Sequence, residues 1–92
     1  MTKILMNIKP DSVYMDCINH ANNHDVCTII STLCNVCVAE CIRNGISPKI
    51  YEDGHVLIDA VFADTKASEV FEAVALTLSQ VAEEHPTYVR IY

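Results

Sequence analysis

Basic residues are scarce in this chain: six Lys and Arg stand against twelve Asp and Glu, for a net charge of −6. No Lys/Arg cluster occurs, so the sequence lacks the electrostatic footprint of a nucleic-acid binder. An acidic surface favours a basic partner or substrate, although acidity also serves solubility alone. Sustained apolar runs are missing too. Ile4-Leu5-Met6 is too short for a signal-peptide core, and no stretch reads as a transmembrane helix, so no membrane contact is expected. There is no linker, repeat or low-complexity segment. No second Cys-x-x-Cys and no His-x₃-His is present to complete a four-ligand zinc site. Neither a metal nor another cofactor is expected.

What is present describes one small domain. Half of the 92 residues are apolar and a fifth are charged, as in a globular chain with a modest core. The five cysteines are odd in number. Three of them, Cys34, Cys37 and Cys41, fall inside a single helical pattern and cannot staple distant segments to each other. That usage points to the reducing cytoplasm.

Ile4, Met6 and Ile8 alternate with Lys3, Asn7 and Lys9, which predicts a half-buried strand over 3–9. Pro10-Asp11-Ser12 is a turn. A second strand follows over 13–20, with Met15 and Cys17 on one side and Tyr14, Asp16 and Ile18 on the other. Asp25 offers an N-cap for a helix running to Asn44, about 30 Å long at 1.5 Å per residue. Gly45 supplies a left-handed stop, and Ile46 the hydrophobic contact that often follows.

Pro48 opens a short strand near 49–52, and Asp53-Gly54 is a strong hairpin-turn dipeptide. A strand over 55–62 places Val56, Ile58, Ala60 and Phe62 on one face. Asp64 or Thr65 caps a second helix, whose stripe of Val70, Phe71, Val74, Ala75, Leu78, Val81 and Ala82 has the period of one buried face. Pro86 ends it, and 88–92 reads as a last strand. The order β-β-α-β-β-α-β predicts a two-layer α+β fold, an antiparallel or mixed sheet with two helices on one face.

Among the thiols, Cys34, Cys37 and Cys41 share a stripe with Ile30 and read as core, since cysteine packs as a small hydrophobe. Cys17 shares a strand face with Met15 and reads the same way. Cys27 differs by position. With Asp25 as the cap it is the second helical residue, its thiol near free backbone N–H groups and the positive end of the helix dipole, which stabilise a thiolate. His20 stands seven positions earlier, and a short loop can fold back to bring it within a general base's reach. His24 is the rival base but points to solvent if it precedes the cap. His55 and His85 flank a turn and a helix end and read as structural. Asp25 has two readings, as a cap and as a carboxylate that orients an imidazole.

These residues form a recognisable pattern. His20-Ala21, then Asp25-Val26-Cys27, then Ser31 one helical turn on, resembles the signature of the ribosomal-processing cysteine protease family (Prp). Its members carry Gly-His-Ala, a glycine-containing loop, then Asp-Ile-Val-Cys-Ala with a serine one turn later. Ala82-Glu83-Glu84-His85-Pro86-Thr87-Tyr88-Val89-Arg90 resembles the family's closing Ala-Glu-Glu-Tyr-Pro-x-Tyr-Val-Arg. Departures are equally specific. Asn19 stands for the glycine before the histidine, Thr28 for the alanine after the cysteine, and one residue is missing between aspartate and cysteine. The His-to-Cys connection is shorter than in the family and lacks glycine, whereas the family's longer loop closes over substrate.

The resemblance implies that residues 1–92 form a single Prp-like cysteine protease domain, cytoplasmic and homodimeric, with no cofactor. Cys27 is then the nucleophile and His20 the base, with Ser31 and Asp25 in support. Its substrate is a protein or peptide, expected to be basic: the N-terminal extension of a large-subunit ribosomal protein, or a phage capsid or scaffold protein. The leading expectation is therefore a cysteine endopeptidase, with the oxyanion held by N–H groups at the start of the first helix. The alternative, raised by the shortened loop, is a non-catalytic relative that binds a peptide or protein partner. A thiol or metal sensor built on the cysteine ladder is the third.

Overall fold

The alternating pattern near the N-terminus folds as expected. A computed structural model describes residues 1–92. It contains β1 (Thr2–Ile8), β2 (Ser12–Ile18), α1 (His24–Arg43), β3 (Ile50–Glu52), β4 (His55–Val61), α2 (Lys66–Glu84) and β5 (Val89–Ile91). The strands form one sheet in the order β3-β4-β2-β1-β5. β1, β2, β4 and β3 pair antiparallel, and β5 joins β1 in parallel, so the sheet is mixed. The last strand is shorter than 88–92, and β2 ends at Ile18, leaving Asn19 and His20 in the connection.

Period-two alternation decides the layers. Ile4, Val13, Met15, Cys17, Val56, Ile58 and Ala60 are buried on one face, where they meet both helices in a single core of 21 residues. The opposite face carries Lys3, Leu5, Tyr14 and Asp59, all exposed. From α2, Phe71, Val74, Leu78 and Val81 are buried. Phe71 tilts against Phe62 with ring centroids 5.6 Å apart, and truncating so buried a ring costs about 3–5 kcal/mol.

α1 buries Val26, Ile30, Cys34, Cys37, Val38, Glu40 and Cys41, so the three inner cysteines are core packing. Its end is a Schellman motif: Gly45 (φ 74°) and Ile46 donate to the carbonyls of Ile42 and Cys41. The buried Glu40 carboxylate accepts from Arg43 at 2.6 Å and from Asn44 Nδ2 at 3.1 Å. α1 is 20 residues long and an 18-residue stretch of it has mean hydropathy 1.6, so it does meet the length and composition of a membrane span, contrary to the sequence reading. Here that apolar stripe is occupied by the domain's own core.

Of the two helix starts, that of α1 differs from expectation and that of α2 agrees with it. Asn23, not Asp25, caps α1: its Oδ1 accepts from Val26 N–H at 3.2 Å. At α2 both candidates share the work. Thr65 is the cap by position but makes no side-chain cap bond, while Asp64 Oδ1 accepts from Lys66 N–H at 2.9 Å.

Candidate functional site

The connection from β2 to α1 is built from asparagine where glycine is absent. Asn19 and Asn22 have φ of 74° and 64°, the left-handed region that asparagine tolerates better than other non-glycine residues. Asn19 in place of a glycine is therefore conformationally conservative. The Asn19 carbonyl accepts from Thr2 Oγ1 at 2.9 Å, and its N–H donates to Gly54 O at 2.8 Å. Asn23 then caps the helix. The loop is thus tied to β1, to the β3–β4 turn and to α1, with Ala21 buried at its centre.

This turn positions Cys27. Because α1 starts at His24, Cys27 is its fourth residue rather than its second, and its own N–H is already bonded to Asn23 O at 2.9 Å. The donor at the sulfur is instead the Ala21 N–H, 3.2 Å from Sγ. The N–H groups of Val26 and Cys27 are consumed by Asn23, so they are not free for an oxyanion; Ala21 supplies the donor nearest the sulfur.

Cys27 lines a groove of about 410 Å³ bounded by β2, α1 and the β3–β4 hairpin. His20 and Ser31 line the same groove. No hydrogen bond joins the His20 ring to the thiol; the ring lies against the Asp53-Gly54 turn, with Nε2 3.5 Å from Asp53 Oδ1. Ser31 makes no bond back to its helix, unlike Thr28 and Thr32, whose hydroxyls donate to His24 O and Thr28 O. Asp25 is placed elsewhere: it sits in solvent 3.6 Å from His24 and lines no part of the groove. His24, the rival base, is solvated with it. His55 bonds Asp16 at 2.9 Å across the sheet.

Three of the buried thiols are held protonated. Hydrogen bonding with Cys34, and then burial, hold Cys17 well above the ordinary thiol range. Burial pushes Cys37 up to about 12 and also raises Cys41. Cys27 is the one partly exposed cysteine.

Three groove residues were not visible as site residues in the sequence. Tyr51 donates its hydroxyl to Asn35 Oδ1 at 2.8 Å, tying β3 to α1, and Asp53 reads locally as a turn residue. The signal for Asp53 is register. Carrying the β2–β4 pairing two steps past Ile18↔His55 sets Asn19 opposite Gly54 and His20 opposite Asp53. That requires knowing that β2 and β4 are neighbours.

Fold and site together define a two-layer α+β domain with a thiol at a strand-to-helix junction, facing a groove. No family model and no curated protein matches the chain. Solved structures do share the fold. The essential ribosomal processing protease Prp from S. aureus, in complex with a covalently linked product peptide, superposes with TM-score 0.76 at 20% identity, over 99% of this chain and 97% of that one. The same protease in complex with a substrate peptide gives 0.75 at 21%, over 100% and 98%. SMU.848 from Streptococcus mutans gives 0.74 at 23%, over 99% and 91%.

Proposed function

We propose that this chain is a Prp-type cysteine endopeptidase that removes a short N-terminal extension from a protein substrate, with Cys27 as nucleophile and His20 as general base. The observation that carries the reading is the placement of the partly exposed thiol: Cys27 lines a groove that His20 also lines, with the Ala21 N–H on the sulfur. The shared fold supports it, because the S. aureus protease of this fold has been captured covalently linked to a product peptide.

In the proposed reaction Sγ gives its proton to His20 and attacks the scissile carbonyl. The C–N bond breaks as His20 returns the proton to the leaving amine, and water then hydrolyses the thioester to free Cys27. Once sulfur bonds to carbon, the Ala21 N–H that it held is released to serve the developing oxyanion. Glu52 and Asp53 at the groove and the net charge of −6 suit a basic segment, such as a ribosomal protein extension or a phage structural protein. The same resemblance carries the expectation of a cytoplasmic homodimer.

A second reading has one observation in its favour. The loop between His20 and α1 is short and pinned through the buried Ala21, so it offers little of a closing lid, and a groove without a lid serves a peptide binder equally well. Iodoacetamide labelling separates the two. The peptidase reading expects Cys27 to label selectively near neutral pH, His20→Ala to slow it, and a basic N-terminal extension peptide to be cut. Uniformly slow labelling, with the peptide bound but intact, would leave the binder.

A further inference from the structure

We propose that Asp53 is the positioning residue for His20, holding the imidazole by its Nε2 edge so that Nδ1 is left to serve the thiol. The proposal rests on the peptidase reading for its purpose, but its geometry stands on its own. His20 Nε2 lies 3.5 Å from Asp53 Oδ1. The ring also lies so close to Gly54 that an added Cβ there would be 3.2 Å from Nε2. Gly54 has φ 80° while Asp53 has no positive φ. The turn therefore lacks the two positive φ values of the I′ form usual for Asp-Gly.

The turn is itself fixed to both walls of the groove. Gly54 O accepts from Asn19 N–H at 2.8 Å, next to His20 in the chain. Tyr51, two residues before Asp53, donates to Asn35 on the helix that carries Cys27. The hairpin thus connects the strand that leads into the base with the helix that carries the nucleophile, and Asp53 is the side chain at the junction.

The chemistry follows from the tautomers of a neutral imidazole, which carries one N–H and one acceptor nitrogen. A carboxylate 3.5 Å from Nε2, an ion-pair contact rather than a hydrogen bond, favours the tautomer with its N–H on that nitrogen and leaves Nδ1 the lone pair for the thiol proton. The sequence offered Asp25 for this role; Asp25 is in solvent beside His24. Asp53 is 93% exposed, so its effect works through tautomer and ring orientation, and its size is that of an exposed pair.

The test uses ¹⁵N-histidine protein and the variants Asp53→Ala and Asp53→Asn. In the wild type at a pH where the ring is neutral, the His20 resonances should report mainly the Nε2–H tautomer. Asp53→Ala should shift the mixture towards Nδ1–H and slow Cys27 alkylation about threefold to fivefold, as expected for loss of an exposed pair. Asp53→Asn keeps an acceptor oxygen and should retain most of both. With a cleavable peptide, Asp53→Ala should lower kcat and leave KM unchanged. A raised KM with unchanged kcat would make Asp53 a peptide contact and overturn the proposal, as would a tautomer ratio that ignores all substitutions. An Asp53-dependent tautomer in a protein that cleaves nothing would sustain the proposal while removing the peptidase reading.

Discussion

Two histidine–aspartate pairs sit within a few residues of each other, one on β2 and β4 and the other just past their ends, and they are built for opposite purposes. His55 and Asp16 meet at 2.9 Å, with side chains 23% and 32% exposed, each on a strand within the paired part of the sheet. His20 and Asp53 meet at 3.5 Å, 55% and 93% exposed, one in the loop after β2 and the other in the turn before β4. The tighter, drier pair is locked by the sheet ladder, with His55 held on Asp16 even though it lines the same groove as Cys27. The looser one stands where the ladder has just ended, lining the same groove as the one partly exposed thiol. Short distance and burial mark a structural pair here. Moving a proton needs a ring held by one edge and open on the other.

Deleting each imidazole sharpens that contrast most. On the peptidase reading, His20→Ala lowers kcat on a cleaved peptide by about 100-fold or more, the usual contribution of a general base. His55→Ala leaves kcat within about twofold and lowers unfolding stability by about 1 kcal/mol or less, as for a partly exposed pair. Peptide turnover and urea titration on both variants decide it. Equal losses of activity would mean that the sheet pair also reaches the chemistry.

The thiols divide along the same line, and pH exposes the division. Cys37 is fully buried, and burial pushes its thiol up to about 12 from an ordinary 9.0. The unfolded chain therefore loses this proton before the folded one does. The stability that the neutral thiol provides is complete below pH 9 and is lost as pH rises towards 12. Between those values Cys37 alone should cost about 1.4 kcal/mol per pH unit. Urea unfolding from pH 8 to 10.5 should show that extra slope in the wild type relative to Cys37→Ala. Over the same range Cys27 should alkylate in the folded state and Cys37 should not. A Cys37 that labels in the fold would erase the boundary between groove and core.

How much of this was legible depends on the range of the interaction. The alternation of Ile4, Met6 and Ile8 and the α2 stripe are local periodicities, and the layers followed from them, although Val70 and Ala75 of that stripe stay outside the core. The Gly45-Ile46 stop is local and formed as read. The α1 cap was local but ambiguous, because Asn23 and Asp25 are both competent acceptors; Asn23 wins since its Oδ1 reaches Val26 N–H, three residues on. His20 and Cys27 stood out through a motif, and both line the groove. Asp53 could not stand out. Its role depends on β2 and β4 being neighbours, with a whole helix between them in sequence, and no short-range pattern encodes that.

The smallest effect isolates the turn that separates the two pairs. Gly45 and Gly54 have nearly the same φ, 74° and 80°, so alanine is strained at both, by about 1 kcal/mol. Their surroundings differ. A Cβ at Gly45 meets nothing within 4 Å, whereas one at Gly54 lies 3.2 Å from His20 Nε2. Gly45→Ala should therefore lose stability and keep the wild-type rate of Cys27 alkylation. Gly54→Ala should lose similar stability and also change that rate about twofold, the scale of a shift worth a few tenths of a kcal/mol. Because backbone strain is common to both, the difference in alkylation reads only the displacement of the ring. Identical alkylation in the two variants would mean that His20 is not held against the turn, and the looser pair would then be no more than two neighbouring side chains in solvent.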